Sequence, residues 1–486
     1  MPVKSSSIVV GAGAGGLVAA LYLQRAGHEV LLLENKARVG GCASAFPLKG
    51  FRFLSGATTL IGLEPEMPLG RVLSELSIAF EAPIAEKNIT LWQHGAPLTI
   101  SRDAAANREA LSHRHGAPFA KFWAEATALG TRGWNVMTQL HFPPRGPRDL
   151  WGAASNAGAW GLLPSMLRTT QSQLATAGAI ADPARAMLDE LLLVSTQSVA
   201  AHTPYLFGAL GIEYLQRPLY LATGGLASLL EHLADVFVQR GGKLALETKV
   251  TRFGPCAGGF TVETSSGAFD AEHLVLNLTH WDAQRLAGPE LNAAFAGTVK
   301  RHPDAWGACT LYLGVEDVFG REAAPYHLVS LPSQLPVSGA HSVFVTLSRP
   351  GDTTMAPEGF RAVTMSCHAK TSPWEGRTEA ELADRKAKVG EELLDALAVA
   401  FPEVKRAPRP VMMAGTPKTW EGFTGRQSGR VGGLAFDYAT LRRGYPTGRT
   451  GVKNLVRVGD TVFPGQSVPA CAWGARRVID ELLTSA

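Results

Sequence analysis

A β-branched strand, a glycine-rich turn and a helix within residues 7–26, a second strand closing on Glu34, and a strand–turn–helix at 454–483 predict an α/β protein. The predicted architecture is a discontinuous Rossmann-like nucleotide unit interrupted by an α+β unit with an antiparallel sheet and a helical cap. A chain of 486 residues has room for two or three such units.

The first element is Ser7 to Val10, a short run suited to a buried parallel strand. Gly11, Gly13 and Gly16 then give G-x-G-x-x-G, with Ala14 and Gly15 inside it. Gly11 allows the tight turn, Gly13 lets backbone approach a pyrophosphate, and Gly16 lets helix and strand pack closely. Leu17 to Ala26 reads as the helix whose N-terminus faces that anion, and Gly27 stops it. Glu29 to Leu33 is the second strand, and Glu34 at its end can hold ribose hydroxyls. Ile8 to Leu23 is uncharged, but its four glycines and short length argue against a signal peptide or a membrane span.

The middle of the chain continues the pattern. Ala222 to Leu226 is a glycine turn, followed by a helix to about Gln239 and a strand from Lys243 to Val250. Phe260 to Glu263 and Phe269 to Leu278 read as a hairpin and a returning strand, with Asn277 at its end. Ala308 to Val315, His341 to Leu347 and Phe360 to His368 suggest an antiparallel sheet. Thr378 is a candidate N-cap for a charged amphipathic helix to Ala400. At the C-terminal end, Asn454 to Val458 is a strand, Gly459-Asp460 follows, and Phe463 to Ala470 opens a helix from Cys471 to Leu483.

Composition removes several function classes. Hydrophobic residues make up 46% and charged residues 18%, too apolar for disorder. A net charge of +4 argues against nucleic acid as a partner. Five scattered cysteines without C-x-x-C, and histidines without a ligand spacing, predict neither a disulfide scaffold nor a metal site. No G-x-S-x-G elbow is present.

Arg38, Gly40 and Gly41 form R-x-G-G soon after Glu34, and Gly50 to Gly56 reads G-F-R-F-L-S-G. With these motifs the chain resembles the FAD-binding amine oxidase and phytoene desaturase superfamily. Two departures are visible: Leu54 stands where that group has Asp, and Ala222 where it commonly has Pro. The closing segment, Gly459-Asp460 with Phe463-Pro464-Gly465-Gln466 and Gly474, is similar to the terminal motif of carotenoid desaturases, and its F-P-G-Q form to that of carotenoid isomerases.

The resemblance implies FAD as cofactor. It implies cofactor contacts from Gly11, Gly13, Ala14, Gly15, Gly16, Glu34, Arg38, Gly40, Gly41, Val250, Asn277, Gly459, Asp460, Gln466 and Val468. Val250 would lie on the adenine and Asp460 on ribityl hydroxyls, with the last turn on the flavin edge that turns negative on reduction. The implied FAD-binding domain comprises residues 1–100, 215–290 and 415–486. The implied substrate domain comprises 101–214 and 291–414. Glu421, Arg426 and Arg430 are catalytic candidates, because the family's chain passes the isoalloxazine there.

The expected activity is that of an FAD-dependent oxidoreductase acting on a long apolar polyene or other isoprenoid, by carotenoid desaturation or cis/trans isomerisation through hydride exchange with flavin N5. Oxygen or a quinone would be the electron acceptor. The alternatives are another oxidoreductase of the superfamily, such as an amine oxidase with Trp420 and Trp473 as an aromatic pair, and a non-catalytic prenyl-lipid carrier resembling Rab GDP-dissociation inhibitors. Around residues 134–168, Trp134, Phe142, Trp151 and Trp160 are interleaved with Arg145 and Arg148 and followed by Arg168. That composition suits a helix lying in a membrane interface, or else a buried cap or a dimer contact. The expected location is cytoplasmic, peripheral on the cytoplasmic membrane.

Overall fold

A computed structural model describes residues 3–140 and 147–484 of the chain. It opens with the expected unit: β1 (Val3–Val10), α1 (Ala14–Arg25) and β2 (Val30–Leu33). β1 and β2 pair in parallel from Ser7↔Val30 to Val10↔Leu33. All four residues of β2 are buried, which is why it reads as a continuous apolar run.

A small hairpin, β3 (Ala45–Leu48) and β4 (Phe51–Leu54), precedes α2 (Pro68–Glu75) and a second hairpin, β5 (Lys87–Gln93) and β6 (Ala96–Ser101). Among the described residues seven helices follow: α3 (Ala104–His115), α4 (Ala117–Gln139), α5 (Pro147–Ser155), α6 (Ala157–Met166), α7 (Thr170–Thr176), α8 (Asp182–Thr196) and α9 (Tyr205–Tyr214). They make the helical cap, with a core that includes Phe119, Phe122, Trp123, Leu188, Leu192 and Ile212.

The chain then returns through α10 (Ala227–Gln239), β7 (Lys243–Ala245), β8 (Val250–Cys256), β9 (Gly259–Thr264) and β10 (Gly267–Leu276). After α11 (His280–Leu286) and α12 (Pro289–Arg301) come β11 (Gly307–Glu316), β12 (Tyr326–Ser330), β13 (Ser342–Leu347) and β14 (Phe360–Ala369). The last elements are α13 (Glu379–Ala400), β15 (Val411–Gly415), α14 (Pro417–Thr424), α15 (Tyr438–Arg442), β16 (Leu455–Arg457) and α16 (Val468–Thr484).

Two large sheets organise these elements. The first runs β7-β2-β1-β10-β9-β8, with β16 also pairing β10. α1, α10 and α16 cover one face, through Leu17, Leu21, Leu230, Phe237, Ala472 and Ile479. The second sheet runs β15-β11-β14-β13-β12-β5-β6, with α13 packed on it through Val389, Leu393 and Leu397. Thr378 caps α13 in a capping box with Glu381, as its sequence position predicts.

Two expectations need correction. The hairpin at 87–101 falls in the first expected domain piece, yet β5 pairs in parallel with β12, from Tyr326↔Ile89 to Val329↔Trp92. It belongs to the second sheet, and local pattern does not say which distant edge a hairpin will meet. The expected strand from Lys243 to Val250 is split. β7 ends at Ala245, Glu247 turns the chain at φ +52°, and Val250 begins β8. The turn is tied to the end of β2 by Glu247 N–H to Lys36 O (3.1 Å) and Thr248 N–H to Glu34 O (2.8 Å).

Candidate functional site

A cavity of about 1020 Å³ is walled by the carboxyl ends of β1 and β2, the turn before α16, the cap helices and the second sheet. Its nucleotide-side wall is built from the glycine turn upward. Gly11 takes φ +96°, which only glycine adopts readily, and its N–H donates to Leu33 O at 2.7 Å. Gly13 is the N-cap of α1, no side chain caps that helix, and no acidic residue lies in its first turn. The first-turn amides are therefore free to meet an anion. Gly40 and Gly41, at φ +107° and +57°, fold the R-x-G-G turn back onto this loop, with Gly40 N–H donating to Ala12 O at 2.8 Å.

Gly11, Gly13, Ala14, Gly15, Glu34, Gly40, Gly41, Val250, Asn277, Gly459, Asp460, Gln466 and Val468 all lie on the cavity wall. Four other predicted residues do not. Gly16 sits behind the wall, where a Cβ would overlap the Gly11 carbonyl oxygen, so it acts by packing α1 on β1. Arg38 is exposed, since its side chain leaves the turn on the solvent side. Glu421 is drawn away by Lys418 (2.5 Å) and Ser428 N–H (3.2 Å). Arg430 lies over the Trp281 ring at 4.7 Å and pairs with Asp304 at 3.4 Å.

The local chemistry is specific. Glu34 accepts from Ala12 N–H (2.8 Å) and Lys36 N–H (2.9 Å), and burial pushes its pKa up despite these bonds. Asn277 braces the glycine turn by donating from Nδ2 to Gly11 O at 3.1 Å. A side chain added at Gly13 would meet that Nδ2 first, at 2.9 Å. Arg426 is the catalytic candidate that reaches the wall, and its Nη1 donates to Asp460 Oδ2 at 2.6 Å. Burial works against the Arg426 charge, but the Asp460 carboxylate more than offsets it and the pKa is raised. Burial pushes the Cys42 and Cys471 thiols up, so neither is a thiolate at neutral pH.

Gln466 binds the cap. Its Nε2 donates to Ser195 O (2.8 Å), and its Oε1 accepts from Gln197 Nε2 (2.7 Å). Gln197 also donates to Gly432 O at 2.7 Å and accepts from Trp306 Nε1 at 3.0 Å. Gln197 and Trp306 are wall residues without a motif to announce them. The wall of α8 carries a readable signal: Ala186, Asp189, Glu190, Leu193, Val194 and Gln197 repeat at helical spacing. Trp420 and Trp473 both reach the wall, yet no ring contact joins them. Trp420 packs on Phe423 at 5.9 Å, and Trp473 lies under Arg476 at 5.1 Å.

A family model for flavin containing amine oxidoreductases matches residues 155–475. The chain belongs to that family. This flavin oxidoreductase also matches an NAD(P)-binding Rossmann-like domain model over residues 9–76. It is 25% identical over 515 residues to prolycopene isomerase 2, chloroplastic, of an Oncidium hybrid cultivar, covering 98% of this chain and 84% of that protein. It is 26% identical over 278 residues to the lycopene-forming phytoene desaturase of Pantoea ananas, covering 55% and 52%. Among solved structures, putrescine oxidase bound to putrescine aligns with TM-score 0.64 at 17% identity over 99% of each chain. An oxidoreductase from Methanosarcina mazei aligns at TM-score 0.65 and 18% identity, over 98% of this chain and 100% of that one. These likenesses establish the fold.

The chain is an FAD-dependent oxidoreductase. The uncapped α1 N-terminus, the side-chain-free glycine turns and the buried Glu34 suit a dinucleotide. Among the described residues no group of His, Cys, Asp and Glu could hold a metal ion, and no helix is long and apolar enough to cross a membrane.

Proposed function

We propose that the protein desaturates or isomerises a long apolar polyene of the carotenoid class. The observation that carries this reading is the continuity of the nucleotide wall with an apolar chamber. Ile61, Phe207, Leu210, Leu328 and Phe344 line that chamber in the same cavity as Gly41 and Asp460. Such a chamber removes a hydrocarbon from water. The named activities of the prolycopene isomerase and phytoene desaturase relatives support the same reading.

FAD, when bound, supplies the two-electron chemistry. The chain's own residues bind, orient and exclude water. We assign the first-turn amides of α1 with Gly11, Gly13, Gly15, Gly40 and Gly41 to the diphosphate, Glu34 to the ribose and Val250 to the adenine. We assign Asp460 to the ribityl chain, and the Gln466–Val468 turn to the flavin's electron-rich edge. Arg426 keeps a fixed positive charge on that wall, and its bond to Asp460 orients the carboxylate. Oxygen or a quinone is the electron acceptor in this reading.

The cap also offers an approach for such a substrate. On α5 and α6, Trp151 is 75% exposed and Trp160 60% exposed, with Leu150 and Leu163 beside them. Phe142 and Arg145 of this stretch lie outside the described residues. We assign this face to a membrane surface. The Trp151→Ser/Trp160→Ser variant is expected to lose co-sedimentation with anionic liposomes, and undiminished binding would refute the assignment.

Anaerobic titration of the FAD-loaded protein with carotenoid precursors tests the activity. Bleaching of the flavin band by a polyene supports desaturation. A changed cis/trans pattern after chemical reduction, without prior bleaching, supports isomerisation. Bleaching by alkylamines alone would overturn the polyene reading.

A further inference from the structure

The cavity has a second polar end, and two rulers place it away from the FAD-side wall. The first is α8. Gln197 at its C-cap touches Gln466 of the turn before α16, and Glu190 lies seven residues earlier on the same face. At 1.5 Å per residue that is roughly 10 Å along the helix. The second is β12. Tyr326 at its start donates from its hydroxyl to Thr58 O at 3.1 Å; both line the cavity, and Thr58 follows Ala57, whose N–H donates to Cys42 O beside the Gly40-Gly41 turn at 2.9 Å. Ser330 lies four residues further, roughly 13 Å along the strand. The two rulers converge, because Ser330 Oγ donates to Glu190 Oε2.

Between the two ends the same elements present Leu193, Val194 and Leu328. The wall is therefore polar, apolar and polar again along one line. Glu190 Oε2 is occupied by Ser330, and Oε1 has no hydrogen-bond partner among the described residues. The neighbouring Asp189 carboxylate is engaged by Ala200 N–H at 2.7 Å. Burial pushes the Glu190 carboxyl up to about 7, and above that pH the ionised group is an acceptor only, which is the condition under which hydroxyl and ether are compared.

We propose that Glu190, set by Ser330, accepts a hydrogen bond from a hydroxyl on the outer end of the substrate, so that the enzyme selects a hydroxyl-ended polyene over the bare hydrocarbon. This deepens the polyene reading and rests on it. An acceptor that a bound hydrocarbon shuts off from water and leaves unpaired would discriminate against it, and the apolar middle alone could not.

The test uses FAD-loaded protein and three probes: retinol, its methyl ether, and an alkylamine of similar length. Dissociation constants are read from quenching of tryptophan fluorescence, since Trp134 and Trp306 line the cavity. Retinol is expected to bind about tenfold tighter than the ether. Glu190→Leu should bring the two to parity while leaving the ether within about twofold of its original affinity. Glu190→Gln, which keeps an acceptor, should retain part of the preference. Equal binding of retinol and ether by the unaltered protein, or a preference that survives Glu190→Leu, would overturn the assignment while leaving the polyene reading intact. Binding of the alkylamine alone would overturn both.

Discussion

Removing either member of the Arg426–Asp460 pair should cost more than removing both. The two groups meet at 2.6 Å, and their side chains are 22% and 13% exposed. Two unit charges about 4 Å apart at an effective dielectric of about 20 attract by about 4 kcal/mol, much of which is offset by desolvation. Taking one partner away leaves the other buried and unpaired, which costs about 3–5 kcal/mol in such sites. Residual exposure argues for the lower end, so Asp460→Ala and Arg426→Met should each lose about 3 kcal/mol. The double variant Asp460→Ala/Arg426→Met should lose less than either single variant. Urea unfolding of the FAD-free protein, followed by far-ultraviolet circular dichroism, gives the coupling energy through a double-mutant cycle. Fluorescence titration with FAD then separates stability from cofactor affinity. Single losses below about 1 kcal/mol that simply add would refute the claim that this pair orders the wall.

Three further outcomes follow from individual contacts. Gly16→Ala would force α1 away from β1, because its Cβ overlaps the Gly11 carbonyl. A loss of about 3 kcal/mol and weakened FAD binding are expected by the same unfolding assay, and native stability would contradict the packing role. Thr378→Ala breaks the capping box of α13 by removing the hydroxyl oxygen that accepts from Glu381 N–H at 3.3 Å. It should lower stability by about 1 kcal/mol without altering the flavin spectrum. Glu190 has a folded pKa of about 7 against 4.5 for the ordinary carboxyl, so the folded chain holds an extra proton between those values. Its stabilisation is complete below pH 4.5 and is lost as pH rises through 7. Relative to Glu190→Gln, the unaltered protein should lose about 2 kcal/mol over that interval, allowing for partial solvent access. A flat difference in melting temperature would show that Glu190 titrates normally.

Much of the nucleotide wall was legible because its rules are local. A glycine turn between strand and helix, an acidic residue at a strand end and a Gly-Asp turn before a helix each act within a few residues. That is why Gly13, Glu34, Gly41 and Asp460 could be expected together on one wall, and all four line the cavity. Arg38, Glu421 and Arg430 were less legible, since proximity in the chain does not say which way a side chain leaves a turn.

The sequence by itself determined the strand–turn–helix units, because covalent neighbours set backbone geometry and apolar periodicity sets the buried face, and its motifs implied the family and FAD through their resemblance to a known superfamily. Tertiary structure alone decided what meets across the cavity. It joined β5 to β12, brought Asn277 to the glycine turn, paired Arg426 with Asp460, and set Ser330 against Glu190. Those partners lie far apart in the chain, and only the packing of two sheets and a helical cap around one space fixes their distances.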